Sequence, residues 1–149
     1  MPQAAIDAGR LWLVTAALLG GLAVAAGALG AHALKASYTR DGELSAADEQ
    51  ALANWETAAR YQMYQALALG LVGLLAAGRP GRLWAWAGGA LTLGTVLFSG
   101  FLYALVLTGN RGLASVVPIG GVLMLVGWGL LAAAVCCTTP QANPSREPS

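Results

Sequence analysis

Six polar side chains near the ends of long apolar segments are the residues of this chain most able to do chemistry. An imidazole, three carboxamides and two phenols can exchange protons, hydrogen-bond a solute or join helices by hydrogen bonds. Because the first loop joins the first two predicted helices, His32 and the glutamine pair Gln62 and Gln65 are expected at the same end of the protein. The candidate polar patch comprises His32, Tyr61, Gln62, Gln65, Tyr103 and Asn110.

Two interpretations of this patch stay open. The first is a ligand or proton site, since polar groups at such a depth can be reached by water. The second is a set of hydrogen bonds between neighbouring helices, each contributing about 1 kcal/mol or less. We favour the second.

A stripe of hydroxyl groups follows helical spacing further along the chain, at Thr92, Thr95, Ser99 and Tyr103. These hydroxyls could line a polar path through a membrane. More often, a Ser or Thr in an apolar helix bonds the carbonyl about one turn earlier, and we expect that arrangement here.

The sequence predicts no catalytic, cofactor or metal site. His32 with Glu56 or Asp48 would be the acid and base of a membrane enzyme, but no nucleophile and base stand at a recognisable spacing. Cys136 and Cys137 are adjacent, so they imply no disulfide framework, and two thiols are too few for a metal site. We therefore predict that the protein is not an enzyme.

The charged residues define the elements that must position these side chains. Lys, Arg, Asp and Glu make up 10% of the 149 residues, against about 25% in an average soluble domain. Since roughly 20 helical residues cross a bilayer, the uncharged stretches predict an all-α, antiparallel four-helix membrane bundle. These stretches are residues 11–34, 61–78, 83–110 and 112–145.

We predict one membrane domain over residues 1–137 and a disordered tail over 138–149. Residues 11–34 resemble a secretory signal, but the apolar run exceeds the usual length, so we expect it to be retained. Ser45 with Asp48 predicts a helix start, and a short amphipathic helix over about 45–60 should run into the second span. The predicted spans are about 11–34, 61–78, 83–108 and 115–137.

Small residues predict where the helices approach each other. In lipid, close backbone contact at Gly and Ala drives helix association. The first helix carries small residues on two opposite faces, so we expect it to lie between two neighbours. The candidate helix-packing glycines are Gly20, Gly27, Gly30, Gly120 and Gly127.

Positive charge does not decide the orientation. Lys and Arg divide evenly, with four on each side of the membrane. The short second loop, which holds Arg79 and Arg82 beside span ends, favours both termini in the cytoplasm of a bacterial inner (plasma) membrane. The predicted partners are the lipid bilayer and another membrane protein or a second copy. With no basic arm, nucleic acid is excluded.

The chain carries six short motifs in order, at residues 27–35, 55–62, 98–100, 102–103, 118–121 and 127–128. Together they resemble one known family, catalogued as domain of unknown function 423, which includes the eukaryotic transmembrane protein 256. The resemblance implies a small integral membrane protein with four spans and no established reaction. Gln65 stands where the family commonly has His, and Val117 where it often has Thr, which weakens a two-histidine metal centre.

These observations favour a non-enzymatic membrane component that supports or modulates a partner. The alternative is a channel or carrier for a small solute, based on the hydroxyl stripe and the polar patch. A membrane enzyme using His32 is the third hypothesis. No Asp, Glu, Lys or Arg lies inside the uncharged stretches, whereas ion-coupled carriers usually place such groups on their pathway.

Overall fold

The computed structural model describes residues 3–39, 42–77, 79 and 81–137, and every element within them is helical. Short π-helical segments continue the rods of α1 and α4, and a 3₁₀ turn precedes α6. The elements are α1 (Gln3–Leu29), the first π segment (Gly30–Leu34), α2 (Lys35–Tyr38), α3 (Ala46–Ala76), α4 (Arg82–Thr95), the second π segment (Val96–Gly100), α5 (Phe101–Thr108), the 3₁₀ turn (Arg111–Ser115) and α6 (Val117–Cys137).

Three rods are long and apolar enough to cross a membrane: Gly9–Tyr38, Arg82–Thr108 and Arg111–Cys137. The second predicted span is not among them. It forms the later part of α3, where Gln62 and Gln65 lower the mean hydropathy. The all-α class is confirmed, and the structure establishes three membrane-capable helices rather than the predicted four.

The predicted amphipathic helix and the predicted second span are continuous, and together they form the single helix α3. It begins with a capping box, in which the Asp48 backbone N–H donates to Ser45 Oγ at 3.2 Å and the Ser45 backbone N–H donates to Asp48 Oδ2 at 3.2 Å. The helix then continues without interruption to Ala76. The predicted tail over residues 138–149 lies outside the described residues.

Helices α1 and α3 run antiparallel in close contact. A Cβ added to Gly9 would lie 2.9 Å from the Gly73 carbonyl oxygen, and one added to Gly73 would lie 2.9 Å from the Gly9 oxygen. At the other end of α1, Gly30 lies against the indole of Trp55. The two backbones therefore stay close from one end of α1 to the other.

Helices α4 and α6 form the second close antiparallel pair. A Cβ on Gly94 would lie 2.8 Å from the Met124 backbone nitrogen, and one on Gly127 would lie 3.0 Å from that of Leu91. The buried core lies between α3 and this pair, and its largest fully buried apolar side chains are Leu69, Leu91 and Val72.

The prediction that α1 lies between two neighbours is wrong for most of its length. One face packs on α3, and Trp12 near its start contacts Gly88 of α4. The opposite small-residue face, with Gly21, Ala25 and Ala28, is exposed, and a Cβ on Gly21 would meet no atom within 4 Å. α3 occupies a single face of α1 and leaves the other uncovered.

Candidate functional site

Trp55 anchors α3 to the end of α1. Its ring is only 5% exposed, and its Nε1–H donates to the backbone oxygen of Ala26 at 2.7 Å. Gly30, in the first π segment, leaves the space that the ring fills, because a Cβ there would lie 2.8 Å from Trp55 Nε1. The absence of a side chain at Gly30 is thus what allows this hydrogen bond between helices.

Gln62 joins three helices two turns further along α3. Its Nε2–H donates to the Leu19 backbone oxygen of α1 at 2.8 Å, and its Oε1 accepts from the Tyr103 hydroxyl of α5 at 3.1 Å. The rings of Tyr103 and Trp55 lie 4.7 Å apart between centroids, at 57°. Since Gln62 is 6% exposed, both ends of its carboxamide are used inside the protein.

The second π segment brings another hydroxyl onto α3. Ser99 is 1% exposed, and its Oγ–H donates to the Ala58 backbone oxygen at 2.8 Å. An extra residue in a helical turn changes which face the following side chains occupy, and π segments often lie at functional sites. We name Trp55, Gln62, Ser99 and Tyr103 the interhelical cluster.

The predicted hydroxyl stripe divides into two halves. Thr92 and Thr95 donate to the backbone oxygens of Gly88 and Leu91, at 2.8 and 2.7 Å, four residues earlier in the same helix. Ser99 and Tyr103 instead bond across to α3. All four hydroxyls donate hydrogen bonds within the protein, so the stripe does not form a polar path.

Gln65 points away from Gln62. Three residues on a helix separate two side chains by about 60° around the axis, so Gln62 turns towards α1 and α5 while Gln65 turns towards α6. Gln65 is 4% exposed and lines an apolar groove beside Phe98 and Met124. Its Oε1 is buried and has no hydrogen-bond partner among the described residues.

The structure does not bring the predicted polar patch together as one site. Gln62 and Tyr103 share a hydrogen bond, whereas Tyr61 and Gln65 line the separate groove. His32 is exposed on the first π segment. Asn110 is exposed too, and its Oδ1 accepts the Gly112 backbone N–H at 3.0 Å as the cap of the 3₁₀ turn.

The acid and base named for the enzyme hypothesis are engaged elsewhere. Asp48 belongs to the capping box, and Glu56 forms an exposed ion pair with Arg60 one turn later. A 410 Å³ cleft between α1 and α3 is lined by Glu49, Glu56 and Lys35 among others, but not by His32. Among the described residues, no group of three or more His, Cys, Asp or Glu could hold a metal ion.

The candidate glycines differ in what surrounds them. A Cβ on Gly20 would make an ordinary 3.7 Å contact with Ala66, and one on Gly27 would meet nothing within 4 Å. Gly27 is therefore not at a helix contact, because it lies on an exposed part of α1. Gly30, Gly120 and Gly127 have no room for a Cβ at ordinary contact distances.

The comparisons with known proteins agree with the motifs found in the sequence. A family described as "Protein of unknown function (DUF423)" matches residues 26–121, which include Trp55, Gln62, Ser99 and Tyr103. The chain belongs to the DUF423 family. The resemblance inferred from the sequence is thereby confirmed.

Membrane proteins of staphylococci are similar to this DUF423 chain. A UPF0382 membrane protein of Staphylococcus aureus (strain bovine RF122 / ET3-1) is 40% identical over 122 residues, 82% of this chain and 92% of the relative. One of Staphylococcus haemolyticus has the same identity and coverage. One of Staphylococcus epidermidis is 41% identical over 119 residues, 80% of this chain and 89% of the relative. No solved structure matches.

These relatives and the three membrane-capable helices identify the DUF423 chain as a membrane protein. Trp55 and Ser99 are the residues whose role the sequence did not reveal. A signal for Trp55 was present in the sequence, because the family motifs contain both this large ring and Gly30, a residue without a side chain that could make room for it. Ser99 belongs to the predicted hydroxyl stripe and to the motif at residues 98–100, but its bond to Ala58 could not be predicted because it depends on the second π segment.

The hydrogen bond between Gln62 and Tyr103 should be measurable by a double-mutant cycle. We expect Gln62→Leu and Tyr103→Phe each to lower the free energy of unfolding in detergent, with a coupling energy of about 0.6 kcal/mol and at most about 1.7 kcal/mol. Tyr64→Phe, at a half-exposed tyrosine, is the matched control and should change little. Strictly additive effects of Gln62→Leu and Tyr103→Phe would contradict the contact.

Proposed function

We propose that this protein is a non-enzymatic component of the bacterial inner membrane, a four-helix bundle that assembles with and supports or modulates another membrane protein. The observation that carries the proposal is the interhelical cluster. Its carboxamide, hydroxyls and indole N–H are used for hydrogen bonds that hold α1, α3 and α5 together. Because these groups already hydrogen-bond one another or the backbone, few donors or acceptors of the cluster remain for proton transfer or for binding a solute.

The proposal takes α3 as the fourth crossing. Its support is the contact between α3 and α1, which extends from the Gly9 and Gly73 pair to the Gly30 and Trp55 pair. A helix that lies along a membrane-spanning helix over that length shares its depth. The two glutamines that lower the mean hydropathy of α3 are both buried, and the Gln62 amide is hydrogen-bonded inside the protein, so neither side chain lies on the outer surface of the helix bundle.

Cysteine labelling distinguishes four crossings from three without knowledge of the orientation. Cys136 and Cys137 are exposed at the end of α6 and mark that end. Glu43, exposed in the first loop, is changed to Cys in a chain that carries Cys136→Ser and Cys137→Ser. With four crossings, we expect an impermeant maleimide on intact cells to label one of these two proteins but not the other.

The same experiment tests the orientation. With both termini in the cytoplasm, the thiol introduced by Glu43→Cys is labelled in intact cells, and the native cysteine pair is labelled only after lysis. Labelling of both proteins, or of neither, in intact cells would place the first loop and the end of α6 on one side. That result would contradict four crossings.

The partner proposal rests on the uncovered face of α1, whose small residues permit a close approach by another helix. A photo-crosslinking residue at Ala25, on this face, should capture one reproducible neighbour in cells. The same residue at Leu107, which is 67% exposed on α5, is the matched control and should capture only scattered products. Equal products from both positions, together with recovery of a free monomer by gentle detergent, would refute the proposal.

A further inference from the structure

A groove lies between α3, the second π segment and α6. Its volume is about 780 Å³, within the usual range of about 300 to 1,000 Å³ for small-molecule sites. Along α3 it extends from Tyr61 to Leu71, a rise of about 15 Å. The interhelical cluster does not line it, so the groove is separate from the features on which the proposed function rests.

The polarity of the groove changes along its length. Tyr61, Tyr64 and Gln65 lie at the end nearer the first loop, and the ring of Tyr61 packs on Phe98 with centroids 5.0 Å apart. Towards the other end the lining includes Leu71 and Trp128, and the Trp128 side chain is 44% exposed on the groove rather than packed between helices. Such a gradient matches an amphiphile with a polar head and an apolar chain.

Gln65 lines the groove, and its carboxamide oxygen lies buried behind the groove wall without a hydrogen-bond partner among the described residues. The Gln65 side chain is 96% buried, from a 4% exposure. A carboxamide oxygen in an apolar environment costs free energy until a donor reaches it. Because that oxygen is itself covered, the carboxamide must rotate about its Cγ–Cδ bond to present it to an O–H on the head of the occupant.

The lining also selects against other occupants. Among the described residues, those that line the groove carry no charge, so a phosphate head would find no cation to pair with. Large side chains such as Tyr64, Leu67 and Trp128 project at its sides. Helices associate in lipid through small residues, so a second copy of this chain fits the groove poorly.

We propose that this groove binds a neutral, single-chain lipid whose head carries a hydroxyl group, with that hydroxyl donating to Gln65 Oε1 and the chain lying along Leu71, Leu125 and Trp128. The site is intramembrane and opens towards the leaflet on the first-loop side. The ligand class is that of a monoacylglycerol.

The test uses a monoacylglycerol brominated in its chain, because bromine quenches tryptophan fluorescence on contact. The full chain is placed in phosphatidylcholine nanodiscs, and the brominated lipid is added at increasing mole fraction. We expect quenching that saturates at a few mole per cent and whose amplitude falls in Trp128→Phe. Brominated phosphatidylcholine at the same mole fractions should quench weakly and without saturation.

Two variants test the site itself. Gln65→Leu keeps the volume, removes the acceptor and should raise the half-saturating mole fraction about tenfold, whereas Gln50→Leu, on the exposed start of α3, should leave it unchanged. Gly121→Leu adds a side chain at the groove floor and should abolish saturation, and a Cβ there makes only a 3.8 Å contact with Phe98.

Three outcomes would overturn the proposal. The first is quenching that rises linearly and equally for both lipids, which means ordinary surrounding lipid. The second is an unchanged half-saturation in Gln65→Leu when that protein elutes as the folded species. The third is a dimer that Gly121→Leu dissociates, which would assign the groove to a second copy.

Discussion

Gly120→Ala is expected to destabilise the protein by about 1 to 3 kcal/mol, although Ala is ordinarily a better helix former than Gly by about 1 kcal/mol. The new Cβ would meet the backbone where α4 continues into the second π segment, at 2.9 Å from the Gly94 oxygen and 2.8 Å from the Leu97 carbonyl carbon. Backbone atoms cannot rotate out of the way as a side chain can. The close pair of α4 and α6 must therefore separate.

The neighbouring residue supplies a matched control for this experiment. A Cβ at Gly121 lies 3.8 Å from the Phe98 ring, an ordinary contact, so Gly121→Ala should be neutral or slightly stabilising. Both variants change one hydrogen for a methyl group, one residue apart on the same helix. The unfolding midpoints of the two variants are compared by heating each protein in detergent and measuring the fraction that remains monodisperse. Equal midpoints for Gly120→Ala and Gly121→Ala would contradict the close contact.

Gly30→Ala should also cost about 1 to 3 kcal/mol, for a different reason. Its methyl group would occupy the position of the Trp55 indole edge, so the ring must shift and lose the hydrogen bond to the Ala26 oxygen. Gly27→Ala, one turn earlier where nothing lies within 4 Å, is the matched control and should not destabilise. The free energy of unfolding in detergent, measured by denaturant titration, separates the two variants.

A background substitution separates this mechanism from a general effect of Ala in the first π segment. In a Trp55→Ala protein no ring lies against Gly30, and the indole hydrogen bond is already absent. Gly30→Ala should then cost much less than in the native chain. The same cost in both backgrounds would show that Trp55 is not the group that the methyl meets.

Much of the architecture could be predicted because it depends on properties of single segments. The distribution of charge predicted an all-helical membrane protein, Ser45 and Asp48 predicted the start of α3, and the family motifs predicted DUF423. The back-bonding of Thr92 and Thr95 was predicted for the same reason, since its geometry lies within one helix. Each of these depends on local chemistry.

What depends on contacts between helices could not be predicted. Gln62 and Gln65 were expected together in one polar patch, but a separation of about 60° around the helix axis is enough to turn them towards different neighbours. The local sequence does not reveal the two π segments, because contacts with other helices decide whether a helical turn gains an extra residue. Likewise, two opposite faces of small residues on α1 could not show that only one of them would be covered.

The continuity of α3 has a mechanical consequence. Its 31 residues form a rod about 46 Å long, with Asp48 and Glu49 at one end and the buried Leu69 and Val72 towards the other. Inserting one residue near Ala53 would rotate the acidic end by about 100° relative to the core, and inserting seven would bring it back within about 20°. Because the helix is continuous, a rotation of its exposed acidic end about the helix axis would also rotate the residues that it places in the core.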